Sequence, residues 1–249
     1  MQKTVQTRLG NFLYENCFPV YNIIYPYFKF KQDAHEIELL NENIKKGDIV
    51  CDIGANIGFY TKIISRLVGI KGYVHAFEPD KKNFEYLQRN CFSLANVSLN
   101  PNAVSEQNGT VTVYVSDFLN VDHRTYEPES YKTKYEMPCV SIDSYLQRNK
   151  KVDFIKMDIQ GFEMFALKGM KQCLEYNHQI KLLSELWPYG LQKSGSSVKE
   201  FADFLFQLGF QIFLFTDGEQ KLMSMQDLLA LPVHEEKYFN IYVRRMESA

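Results

Sequence analysis

From residue 48 onward, short apolar and β-branched runs alternate with longer segments in which apolar residues recur every three or four positions. The runs fit strands buried on both faces and the longer segments fit helices packed by one side. The chain therefore reads as strand, crossover helix and parallel strand, repeated. Ile49-Val50-Cys51-Asp52-Ile53 is the first run, and the helix after it places Ile57, Tyr60, Ile64, Leu67 and Val68 on one side before Gly69 and Gly72 close it. A second strand is expected over 73–77, ending at Glu78-Pro79, where proline opens a turn into a helix over 81–90. A third strand is expected over 97–100.

Asn108-Gly109 is the strongest short hairpin signal in the chain, and the alternation over 110–116 predicts an antiparallel excursion there. The polar stretch 117–137 reads as a long loop, a kind of segment that in a compact domain tends to be functional or disordered. The parallel pattern resumes with a strand over 152–157, a helix near 163–175, a strand over 180–184 and a helix over about 197–208. Two apolar strands, 210–215 and 239–243, close the chain around an insertion with a helical stretch at 223–231. The expected architecture is one α/β domain over 36–249 with a doubly wound, mostly parallel sheet, preceded by an extension or cap over 1–35. In that extension, proline and polar residues interrupt apolar runs such as Phe18-Pro19-Val20-Tyr21-Asn22-Ile23-Ile24-Tyr25-Pro26 well short of a spanning helix. Neither a signal peptide nor a membrane span is expected, and the stretch fits a cap, a dimer contact or a substrate lid equally well.

A chain of 249 residues with 45% hydrophobic content is long enough to bury one sizeable core. Its 28 basic and 30 acidic residues are spread along the chain, so no basic stripe exists to track a phosphate backbone and no nucleic-acid partner is expected. Cys17, Cys51, Cys91, Cys139 and Cys173 are scattered and never spaced as Cys-x-x-Cys. That usage fits neither a disulfide framework nor a zinc site, and points to a reducing, cytoplasmic setting. No metal-ligand spacing is present, and His35, His75, His178 and His234 are isolated.

The candidate chemistry begins where the first strand turns into the first helix. Such a turn needs residues that tolerate positive φ and close backbone approach, and Gly54, Asn56 and Gly58 supply them at alternate positions. Glu78 stands 24 residues beyond Gly54, near the ~20-residue offset of an acid that holds ribose hydroxyls. A dinucleotide and S-adenosylmethionine both suit that pair, and Asp52 separates them. Its carboxylate would repel a pyrophosphate and attract an ammonium and a sulfonium.

Asp52-Ile53-Gly54-Ala55-Asn56-Ile57-Gly58-Phe59-Tyr60-Thr61, then Phe77-Glu78-Pro79, then Asp153-Phe154-Ile155-Lys156-Met157-Asp158-Ile159-Gln160-Gly161-Phe162-Glu163 with Leu167-Lys168-Gly169 behind it, follow one another in order and spacing. Together they resemble the FkbM-type methyltransferase family, from about residue 36 to residue 243. The resemblance implies a class I (Rossmann-like) methyltransferase fold, with a seven-stranded sheet whose last strand is antiparallel. It also implies S-adenosylmethionine as cofactor, and O-methylation of sugars, glycans or secondary metabolites. Carried over by position, the cofactor contacts are Asp52, Gly54, Ala55, Asn56, Gly58, Phe59, Tyr60, Thr61, Glu78, Pro79, Asp158 and Gln160, with Asn102-Ala103 as an adenine-side turn. Asp122-His123-Arg124 resembles a substrate-side motif of the family.

Methyl transfer to a hydroxyl needs a group that orients the acceptor and accepts its proton. Asp158, at the carboxyl edge of a central strand, is the first candidate; Glu185 holds the equivalent place on the next strand. Lys156 shares a strand face with Asp158. His123 has the pKa range of a general base and Arg124 suits an anionic acceptor. The acceptor is expected to be a small molecule or glycan, and the oligomeric state stays open, a homodimer included. A donor-binding protein without catalysis and an NAD-dependent oxidoreductase are the competing readings, the second opposed by Asp52.

Overall fold

The structure is a computed structural model that describes residues 5–115, 133–147, 151–216 and 218–246. Three helices open the chain: α1 (Val5–Asn16), α2 (Phe18–Gln32) and α3 (Ala34–Asn43). Then come β1 (Ile49–Ile53), α4 (Phe59–Val68), β2 (Tyr73–Phe77), α5 (Lys81–Cys91), β3 (Val97–Asn100), β4 (Ala103–Val104), β5 (Gly109–Val115), β6 (Thr133–Val140) and α6 (Ile142–Tyr145). The second half holds β7 (Phe154–Met157), α7 (Glu163–Lys168), α8 (Lys171–Tyr176), β8 (Lys181–Leu186), α9 (Pro188–Lys193), α10 (Val198–Gln207), β9 (Phe210–Thr216), β10 (Glu219–Leu222), α11 (Met225–Leu229) and β11 (Phe239–Arg245).

Among the described residues the main sheet has eight strands in the order β10-β9-β11-β8-β7-β1-β2-β3. β3, β2, β1, β7 and β8 run parallel, and β11 runs antiparallel to both β8 and β9. The fold is thus the mostly parallel sheet that the alternation predicts, of the Rossmann-like class and with the reversed last strand that the family resemblance implies. One strand more than expected is present. β10 hairpins onto β9 with every residue exposed, so it carries no hydrophobic signal and reads as loop in the sequence.

Side chains alternate across β1. Cys51 and Ile53 join the core under α6, α7, α8 and α10, whereas Val50 packs with Leu39, Leu40, Phe59 and Ile64 of α3 and α4. Asp52 shares the second face and is the register partner of Lys156. The pairing also aligns Ile53 with Phe77 and Met157, and Met157 with Ser184. The residues immediately after that row are Gly54, Glu78, Asp158 and Glu185, which is why four segments distant in sequence meet at one sheet edge.

Three expectations need correction. The single helix near 163–175 is two, α7 and α8, interrupted at Gly169, where the Ser105 backbone comes so close that an added Cβ would stand 1.9 Å from its carbonyl oxygen. Asn108-Gly109 closes no hairpin between its flanking strands: β4 and β5 both pair with β6, β4 parallel and β5 antiparallel. The antiparallel excursion exists, but residues 133–137, read as loop, belong to β6, where pairing with β5 overrides their polarity. The interrupted apolar stretch at the N-terminus is helical as α2, with Pro19 in its first turn and Pro26 inside it.

Candidate active site

The turn after β1 has φ of 83° at Gly54, 51° at Asn56 and 89° at Gly58, the left-handed backbone that its residue types allow. Gly54 and Ala55 donate their amides to the Phe77 carbonyl at 3.0 and 2.9 Å, locking the turn to the end of β2. Glu78 completes the lock, accepting the Asn56 amide on Oε2 at 2.7 Å and the Asp80 amide on Oε1 at 2.9 Å. Burial nevertheless pushes its carboxyl up to about 8, aided by Asp80 and opposed by those amide bonds. Asp80 caps α5 by accepting the Asn83 amide at 2.8 Å, and Pro79 links it to Glu78. Asn102 and Ala103 follow β3, whose Asn100 carbonyl accepts the Glu78 amide at 3.1 Å.

Asp52 is 0% exposed. Its Oδ2 accepts the Thr61 hydroxyl at 2.6 Å, while Oδ1 has no hydrogen-bond partner among the described residues. Burial raises its pKa, with Lys156 and Thr61 opposing.

Gly54 also touches the second half of the site: a Cβ there would stand 1.9 Å from the Asp158 carbonyl oxygen. From that backbone contact the Asp158 side chain extends to Lys156 Nζ, 3.6 Å from Oδ2, and accepts Gln160 Nε2 on Oδ1 at 3.0 Å. The same Gln160 amide donates to Glu185 Oε2 at 3.1 Å, so one side chain ties both carboxyl groups together. Burial, then the neighbouring Asp158, raise Glu185 well above the usual carboxylate range. Lys156 lies 4.8 Å above the Tyr60 ring, and the Tyr60 hydroxyl donates to Asp33 at 2.5 Å.

The N-terminal helices supply side chains that sequence reasoning left unassigned. Lys29 pairs with Asp33 at 2.7 Å. Burial opposes its charge, but Tyr25, Asp33 and Asp158 hold the ammonium above its ordinary value. Tyr25 and Phe30 pack edge-on against Phe59. Tyr14 donates to Asn83 at 2.5 Å and packs with Ile57 and Tyr86 beside the glycine turn. The one available signal was the spacing of four between Lys29 and Asp33, the residue that follows α2. Asp122, His123 and Arg124 lie outside the described residues.

Glu163 opens α7 with Oε1 accepting the Ile159 and Gly161 amides at 3.3 and 3.1 Å, while its buried Oε2 lacks a partner among the described residues. Burial raises this carboxyl to about 7. With the folded pKa above the ordinary 4.5, the folded state holds its proton longer. The contribution to stability is therefore full below about pH 4.5 and is lost as pH rises through about 7. Glu163→Gln mimics the protonated acid, so its melting temperature relative to the unsubstituted protein should rise between about pH 5 and about pH 8. A pH-independent difference between the two melting curves would show that Glu163 carries no such proton.

The Methyltransferase FkbM domain matches residues 52–212, more than half of the chain. The protein belongs to the FkbM methyltransferase family. It is similar to the hexuronic acid methyltransferase AglP of Haloferax volcanii, 27% identical over 154 residues, which are 56% of this chain and 56% of AglP. This FkbM methyltransferase thus spans about half the length of the curated relative it matches. The methyltransferase FkbM from Methylobacillus flagellatus KT superposes with a TM-score of 0.50 at 19% identity, over 80% of this chain and 43% of that one. A Streptococcus mutans protein solved in complex with SAH superposes with a TM-score of 0.52 at 14% identity, over 86% and 97%. Both likenesses carry the fold.

As an FkbM methyltransferase the protein takes S-adenosylmethionine as its methyl donor. The residues fit that donor: residues 52–61 contain no basic side chain for a phosphate, and the buried Asp52 retains an unpartnered oxygen.

Proposed function

We propose that this FkbM methyltransferase methylates a hydroxyl of a sugar, glycan or related hydroxylated metabolite. The observation that carries the reading is the Asp158–Gln160–Glu185 bridge, held against the Gly54 turn by the Asp158 carbonyl. Carboxyl and amide groups in one cluster suit the hydroxyls of a saccharide, and the similarity to a hexuronic acid methyltransferase supports a sugar acceptor.

The turn at Gly54, Asn56 and Gly58, with Asp52 and Glu78, would hold the donor. When bound, S-adenosylmethionine supplies an electrophilic methyl on sulfur. An acceptor hydroxyl placed beside that methyl group would give up its proton to the Asp158 carboxylate. Lys156 stands beside Asp158 to balance its charge. Burial and the neighbouring Asp158 favour the protonated form of Glu185, which would donate to a neighbouring acceptor oxygen. Gln160 orients both groups.

Incubation with methyl-labelled S-adenosylmethionine and a panel of uronic-acid-containing and neutral saccharides tests this reading. Label in an alkali-stable ether is the expected result. An alkali-labile ester would place the methyl on a carboxylate, which has no proton to remove, and would overturn the role given to Asp158.

A further inference from the structure

One face of α2 packs on the fold through Phe18, Tyr21, Asn22, Tyr25 and Lys29; the opposite face is bare. Val20, Ile23, Ile24, Tyr27 and Phe28 are exposed there, Ile23 by 77%. Their spacing of three and four makes a continuous stripe along α2. Lys31, also exposed, stands over the Tyr27 ring at 4.6 Å, and no acidic residue occurs between residues 16 and 32.

We propose that this face is a peripheral docking surface for an anionic lipid bilayer. Large aliphatic and aromatic side chains flanked by lysine, with no acid among them, are the chemistry of a helix lying in the headgroup boundary. α2 has 15 residues, and no helix among the described residues is long and apolar enough to cross a membrane, so the helix lies on the bilayer. A second copy is the poorer occupant. Isologous pairing would set the Lys31 of each copy against the other's apolar stripe, and α2 has no acid to answer it. The docking goes beyond the proposed reaction and does not depend on it.

Co-sedimentation of the full chain with vesicles tests it, using phosphatidylcholine alone and phosphatidylcholine with roughly a third replaced by phosphatidylglycerol. The protein should partition to the anionic vesicles, less so as salt is raised. Ile23→Glu/Phe28→Glu should weaken that partitioning roughly tenfold or more while keeping the melting shift given by S-adenosylhomocysteine. Lys31→Glu supplies a second variant and should weaken binding to the anionic vesicles selectively. Absence of wild-type binding to anionic vesicles would overturn the proposal, as would binding unchanged in both variants. So would a wild-type dimer in sedimentation equilibrium that Ile23→Glu/Phe28→Glu disperses, with no lipid binding.

Discussion

Gly54→Ala is expected to remove donor binding and to destabilise the protein. The added methyl would sit 1.9 Å from the Asp158 carbonyl oxygen and 3.0 Å from its carbonyl carbon, on a residue whose φ is +83°. Both obstacles are backbone, so no side chain can swing aside, and relief requires moving the end of β7 away from the turn after β1. Left-handed strain and overpacking each cost about 1–3 kcal/mol. At about 2–4 °C per kcal/mol for a chain of this size, the loss is readable in a melting curve. Because the displaced atoms belong to the turn itself, affinity for S-adenosylhomocysteine should fall by roughly a hundredfold or more, about 2.7 kcal/mol. Gly109→Ala is the matched control, since nothing lies within 4 Å of its added Cβ and its φ is not positive. Equal behaviour of the two variants would mean that the contact between the two loops is unimportant.

Asp158→Asn separates chemistry from binding. The substitution keeps the size of the side chain and leaves the backbone against Gly54 in place, but removes the charge beside Lys156 and with it the proposed proton acceptor. Turnover should fall by roughly 10²–10⁴, the range for loss of a general base, with S-adenosylhomocysteine affinity almost unchanged. Glu185→Gln should be milder, since burial and Asp158 favour the protonated carboxyl, which an amide that also donates imitates well. Measured side by side, kcat should rank the unsubstituted protein, then Glu185→Gln, then Asp158→Asn. A fully active Asp158→Asn enzyme would remove the residue from the mechanism.

The four strands that build the site edge were legible because each is a short apolar run, and their alignment follows from parallel pairing. Once β1, β2, β7 and β8 are placed, the positions of Gly54, Glu78, Asp158 and Glu185 follow from the register. What escaped the sequence depends on contacts between distant segments. The helix interruption at Gly169 lies against the Ser105 backbone, and the strand character of residues 133–137 comes from pairing with β5. Lys29, Asp33 and Tyr25 reach the site from a helix more than a hundred residues before Asp158, and no periodicity within that helix reveals which face turns inward. Prolines at positions 19 and 26 made the same segment look broken, yet Pro19 sits in the first turn, where its missing amide leaves no bond unmade.

Calorimetric titration of the full chain with S-adenosylhomocysteine, beside NAD, tests the central claim most directly. The donor site proposed on Asp52, Gly54 and Glu78 predicts saturable binding of S-adenosylhomocysteine and no heat from NAD. Binding of NAD, or no heat from S-adenosylhomocysteine, would contradict it, and the roles assigned to Asp158, Gln160 and Glu185 would fall with it.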